Sequence, residues 1–175
     1  MQEFKSNGKL LITGEYAVLD GARALAVPTK FTQSLQVEPA PGTGISWQSL
    51  DENQEPWFEA RFQLENNELS LKSWVQGEDK VAERLLQILN FALKQKPEIL
   101  SNSSWNVKTL QDFNRKWGLG TSSTLINNLS NWFEIDAYEL LKNSFGGSGY
   151  DLAVAESKSS VVYQLDKDKI GRAHV

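Results

Sequence analysis

No stretch constrains this chain more than Trp117-Gly118-Leu119-Gly120-Thr121-Ser122-Ser123-Thr124-Leu125-Ile126. Two glycines bracket one apolar residue, hydroxyl residues follow, and a helical pattern then begins. Leu125, Ile126, Leu129, Trp132 and Phe133 fall on one face of that helix. Ser122 and Ser123 stand where it starts, and hydroxyls there accept hydrogen bonds from the first N–H groups. A glycine turn feeding a helix N-terminus is also an anion site. The backbone can approach the ligand closely, and the helix dipole favours negative charge. Phosphate is the obvious candidate. The same residues read equally well as a tight turn before a well-capped helix. They are not the common nucleotide loop, which ends in Gly-Lys-Ser/Thr, and Ser123 takes the place of the third glycine of a dinucleotide fingerprint.

The chemistry open to the chain is narrow. Its 175 residues include no cysteine and one histidine, His174, so disulfides, thiolate zinc sites, cysteine nucleophiles and histidine-based triads fall away. Carboxylates, lysines, hydroxyls and backbone amides must carry any reaction. A net charge of −4 argues against a general nucleic-acid binder. Residues 1–8 lack the apolar core of a signal peptide, and no apolar run is long enough to cross a membrane. One cytoplasmic domain with a small-molecule ligand is the expectation, with neither nucleic acid nor membrane as partner.

Two further stretches bear on function. Residues 9–13 read as a short buried strand that Gly14 stops, with Lys9 before it and Glu15 after it. Those charges fit ordinary solvated flanks as well as a site. Residues 145–155 run Phe-Gly-Gly-Ser-Gly-Tyr-Asp-Leu-Ala-Val-Ala, a glycine loop able to press its backbone on a ligand, with Asp151 at the mouth of a small-residue apolar segment. Asp151 reads alternatively as a helix cap. Arg115 and Lys116, just before the glycine turn, add field for an anion or are simply solvated.

The remaining pattern supplies the frame. Alternation marks strands at 29–38, 45–50, 57–64, 69–75 and 105–110, and helical periodicity marks 79–94, 122–133 and 136–143. The fold class is therefore α+β, a mostly antiparallel sheet with helices packed on it.

Taken together, residues 9–28, 118–124 and 147–155 resemble the first two motifs and the catalytic-aspartate segment of the GHMP small-molecule kinases, named for galactose, homoserine, mevalonate and phosphomevalonate. The run from Gly8 to Leu19 is most similar to the mevalonate and phosphomevalonate branch, and Gly-Ser-Gly-Tyr-Asp, ending at Asp151, resembles the GYDIA subgroup. The resemblance extends from Ser6 to about Gln164. It implies the ribosomal-protein-like topology of a GHMP N-terminal domain and phosphoryl transfer from ATP, with Mg2+, to a mevalonate- or phosphomevalonate-like acceptor.

Site roles follow from the same resemblance. It implies that Gly118, Leu119, Gly120, Thr121, Ser122 and Ser123 wrap the ATP phosphates, and that Ser122 binds magnesium. Asp151 would take or orient the substrate proton, with Lys9 beside it and the transferred group. Glu15, Tyr16, Gly147, Ser148 and Gly149 would border the acceptor.

The sequence departs from the family pattern in three places. The upstream magnesium-binding glutamate has no clear match, Glu139 being nearest. Asn114 stands near the usual proline, and the family's second domain is absent. The expected organisation is an N-terminal domain over 1–169 and a non-native tail over 170–175, whose Ile-Gly-Arg-Ala-His-Val is what a common sequencing-adapter oligonucleotide would encode. The alternative to an enzyme is a non-catalytic or inert fragment of the same fold; a homodimer of the full-length parent stays open.

Overall fold

The longest strands in the chain pair with each other and frame everything else. In the computed structural model, which describes residues 1–101 and 103–165 and the backbone of Ile170–His174, β1 (Gln2–Thr13) and β2 (Ala24–Ala40) run antiparallel, from Gln2 opposite Val37 to Thr13 opposite Leu25. The register shifts between Asn7 and Lys9 and again between Leu11 and Thr13. Such bulges bend a strand and re-aim its side chains. The first one sits next to Lys9.

β3 (Gly44–Leu50), β4 (Pro56–Glu65) and β5 (Glu68–Gln76) form an antiparallel meander. β3 also pairs in parallel with β6 (Ser104–Gln111), which returns antiparallel to β2 over Gln33 to Ala40. β7 (Val161–Leu165) pairs with Ala24 to Ala26, on the edge of β2 that β6 also uses. The order is β5-β4-β3-β6-β2-β7-β8, with β1 on the other edge of β2.

Alternation along the strands divides the sheet into two faces. Leu35, Val37, Ile45, Trp47, Phe58, Phe62 and Val107 are buried beneath the helices, while Gln36, Ser46, Gln48, Glu59 and Lys108 sit at the alternate positions. α1 (Asp79–Gln95) contributes Ala82, Leu85, Ile88, Leu89, Ala92 and Leu93 to this core, and α2 (Thr121–Phe133) contributes Ile126, Leu129, Trp132 and Phe133. α3 (Ala137–Lys142) starts on the Asp136 side chain, which accepts hydrogen bonds from the N–H groups of Tyr138 and Glu139. A second, smaller core joins Val18, Ala24 and Ala26 to α4 (Tyr150–Glu156) and β7, through Ala153, Val154, Val161 and Tyr163.

The α+β class and the three expected helices match the sequence reading; α4 lies outside it. Three strand assignments differ, β2 first, which begins at Ala24 and not at 29. β1 begins seven residues earlier than expected, since Gln2 to Ser6 carries no apolar alternation and pairs through its backbone. β7 was not expected at all; five residues give too little periodicity. The backbone of Ile170–His174, set aside as a tail, pairs with β7 as β8. That pairing needs only backbone N–H and C=O groups, which any non-proline segment carries.

Candidate functional site

Gly118 and Gly120 both take left-handed backbone conformations, with φ of 70° and 83°. They follow a short 3-10 turn, Arg115–Trp117, that the Asn114 side chain caps by accepting from the Lys116 N–H. α2 begins at Thr121 with Gly120 as its N-cap and no side chain capping it. The expected capping by Ser122 and Ser123 is therefore not found. With Gly120 at the cap, both serines fall inside the first turn, where their own N–H groups lack helical acceptors. Such an end suits an anion.

β1 lies directly against this turn. The Lys9 N–H donates to the Leu119 carbonyl at 2.9 Å. A Cβ on Gly120 would stand 3.1 Å from Lys9 Cγ, and one on Gly8 would stand 3.1 Å from the Leu119 carbonyl oxygen. Gly8 thus lies against the Leu119 backbone, while Gly120 combines a left-handed φ with the Lys9 side chain packed on it.

From this anchor Lys9 crosses to α4. Its Nζ donates to Tyr150 Oη at 3.0 Å and lies 3.3 Å from Asp151 Oδ1. Asp151 Oδ1 is buried and accepts no hydrogen bond, so its contact with Lys9 is an ion pair without an aligned N–H. Asp151 does not cap α4. The N-cap is Gly149, left-handed at φ 82°, and no side chain caps that end. The Tyr163 hydroxyl donates to the Ser148 carbonyl, and a Cβ on Gly149 would press on Tyr138 at 3.1 Å, so the loop is held from both sides.

The electrostatics follow from this packing. Burial pulls the Lys9 ammonium down, but the Tyr150 hydrogen bond and the Asp151 charge outweigh it, and the net shift is upward from the ordinary 10.5. Burial raises the Tyr150 phenol, the Lys9 hydrogen bond opposes this, and the Asp151 charge adds to it. At neutral pH the centre holds an ammonium and a neutral phenol.

A cavity of about 320 Å³ opens beside Thr121 and Ser122, floored by Trp57, Phe58, Leu85 and Ile88. Lys80, Arg84 and Arg115 line it, and no carboxylate does. The Arg115 guanidinium lies over the Trp57 ring at 3.4 Å from its centroid. Two buried donors of lining residues, Trp57 Nε1 and Gln111 Nε2, have no partner. A larger hollow of about 460 Å³ lies on the polar face of the sheet, lined by Gln36, Ser46, Gln48 and Lys108 but by neither Lys9 nor Asp151.

Behind the turn, a buried polar chain ties α2 to the strands. Thr124 Oγ1 donates to Gln33 Oε1 at 2.6 Å, Asn128 Nδ2 donates to the Gln33 carbonyl, and Ser6 Oγ donates to Asn128 Oδ1 at 2.6 Å. Ser6 lies on β1 three residues before Lys9. The network thus fixes the glycine turn relative to the lysine.

Lys9, Leu119, Gly120 and Asp151 therefore come together, with Ser122 on the adjoining cavity. Glu15 and Tyr16 are both exposed, Tyr16 at 79%. Gly147 is exposed and Ser148 buried. Glu139 lies exposed in the first turn of α3. Among the described residues no cluster of three or more metal-binding side chains exists. Magnesium needs no such cage, since it usually keeps waters and binds through one or two protein oxygens plus substrate phosphates. The Ser122 hydroxyl fits that demand, whereas Asp151 Oδ1 already faces the Lys9 ammonium. Sequence reading missed Tyr150, whose residue type carries no site signal. It also missed the bulge role of Gly8, which a glycine inside a strand could have flagged.

No protein-family model and no curated protein matches the sequence. Solved structures do. The mevalonate kinase of Methanococcus jannaschii is similar at 13% identity and TM-score 0.67, over 99% of this chain and 56% of that one. The fold is that of the GHMP kinase N-terminal domain. Streptococcus pneumoniae phosphomevalonate kinase, in complex with phosphomevalonate and AMPPNP, is similar at 17% identity and TM-score 0.63, over 94% of this chain and 50% of that one. Lactococcus lactis galactokinase, complexed with galactose, follows at 12% and 0.67, over 98% and 46%. The chain spans about half the length of these kinases. Among the described residues no helix is long and apolar enough to cross a membrane.

Proposed function

We propose that this chain is the phosphate-binding and proton-handling part of a GHMP-type kinase, which transfers a phosphoryl group from ATP to a small mevalonate- or phosphomevalonate-like metabolite. One observation carries the reading: a buried carboxylate oxygen of Asp151 pairs at 3.3 Å with the ammonium of Lys9, whose strand is pressed against the uncapped N-terminus of α2. Phosphoryl transfer has a loose transition state, so positioning and charge neutralisation account for most of the catalysis. The residues divide that task. N–H groups of the glycine turn and first turn of α2 hold phosphate oxygens, and the cavity beside Ser122 takes the nucleoside. Lys9 neutralises charge on the moving group, and Asp151 Oδ1 accepts the hydrogen bond of the acceptor hydroxyl. ATP with Mg2+ would supply the phosphoryl group and the counter-charge, with the Ser122 hydroxyl as the oxygen ligand available on this chain.

Full activity is assigned to a longer parent with a second domain that closes over the nucleotide, and the 175 residues alone to a weakly binding fragment. The test is Asp151→Asn in the parent, assayed on a panel of small hydroxylated and phosphorylated metabolites. Turnover should fall roughly 10²–10⁴-fold with ATP affinity little changed, since proton handling contributes mainly in the transition state. A stable, fully active variant would end the assignment.

A further inference from the structure

We propose that Tyr150 is a positioning residue of the Lys9–Asp151 centre: its phenol oxygen anchors the lysine ammonium beside the carboxylate and so sets where both charges meet an acceptor hydroxyl. The inference rests on the phosphoryl-transfer reading of that centre. An ammonium at 3.3 Å from a buried carboxylate oxygen would ordinarily settle into a direct hydrogen bond, because a charge-assisted bond is shorter and stronger than a neutral one. Here the nearer partner of Nζ is Tyr150 Oη at 3.0 Å, and the carboxylate holds the ammonium at 3.3 Å as an ion pair.

The tyrosine is fixed well enough to impose this. It opens α4 directly after left-handed Gly149, so its direction is set by the backbone. Its ring packs on fully buried Tyr163 at 6.4 Å between centroids, tilted by 59°. The ammonium also lies 5.1 Å from the Tyr150 ring centroid, within reach of a cation–π attraction. A lysine has three donors on a flexible four-carbon stem and no preferred fork, so a second anchor besides the carboxylate is what gives its charge one place. One donor is committed to the phenol, and the others are left for the ion pair and a transferring phosphoryl group.

Tyr150→Phe isolates the claim, for it keeps the ring, the packing on Tyr163 and the start of α4, and removes only Oη. In the 175-residue chain the Lys9 ¹⁵Nζ and Asp151 ¹³Cγ resonances should both move, as the ammonium closes onto the carboxylate, while the rest of the spectrum stays. In the parent, turnover should fall roughly 10–100-fold at constant ATP affinity, the usual effect of losing a partner that orients a reacting group. A purely structural tyrosine would shift the melting temperature and leave both resonances and kcat in place; that outcome overturns the proposal. Should Tyr150→Phe not fold, 3-fluorotyrosine in the native chain serves instead. Lys9→Met must then move one of four ¹⁹F signals, and four unmoved signals overturn the proposal equally. If Asp151→Asn proves fully active while the Tyr150→Phe resonances move, the positioning stands and the kinase reading falls.

Discussion

At the scale of single residues, the two glycines of the turn make different demands, and the difference is measurable. Both have positive φ, but a Cβ on Gly118 would meet nothing within 4 Å, whereas one on Gly120 would reach Lys9 at 3.1 Å. Gly118→Ala should therefore show backbone strain alone, about 1–2 kcal/mol by denaturation. Gly120→Val adds a clash with the lysine stem and should abolish nucleotide binding in the parent; an unchanged Michaelis constant for ATP would remove the turn from the site. Lys9 gives a pH prediction with a definite sign. Its folded pKa is raised above 10.5, so its contribution to stability is complete below that value and is lost as pH rises through the folded pKa. The stability difference between the native chain and Lys9→Met should stay flat from pH 7 to 9 and shrink only above 10.5. A decline by pH 8 would contradict the ion pair. These glycines and Lys9 were legible in the sequence because glycine turns and flanking charges are local signals. Tyr150 was not, because its role exists only where β1 and α4 meet.

Among the elements, α2 is the one whose placement matters most, and polar contacts as well as apolar ones set it. Asn128 is fully buried and bridges Ser6 Oγ to the Gln33 carbonyl. Asn128→Leu would take the acceptor from the Ser6 hydroxyl, which keeps only the Asn127 donor, and a side-chain donor from the Gln33 carbonyl; an unmade buried hydrogen bond costs roughly 1–3 kcal/mol. Urea denaturation should register a loss of that order, well beyond a surface change. The apolar stripes of α1 and α2 were legible because helical periodicity repeats over four or five turns. The polar seam under α2 was not, since Asn127 and Asn128 look like solvent-facing residues until β1 lies over them. The first half of β1 was hidden for the same reason: a polar strand is defined by its partner.

For the molecule as a whole, what covers the glycine turn decides ligand affinity. A phosphate site without a covering domain leaves each contact in competition with water. Calorimetry of this chain with Mg-ATP should show weak binding, and a sub-micromolar Kd would refute the need for a second domain. The sheet class could be read from alternation, yet the parallel pairing of β3 with β6 and the docking of β7 beside β6 could not, because neither follows from neighbouring segments. The docking of β7 and α4 also has a consequence for biosynthesis. Lys9 and Tyr150 lie 141 residues apart along the chain, and at about 5–20 residues per second the ribosome delivers the second on the order of ten seconds after the first. Through that interval the nascent chain holds a lysine with no counter-charge and a strand with one edge unfilled. The Lys9 cluster is thus completed only when α4 has been made, and a ribosome that stops short of it releases β1 with its lysine unpaired.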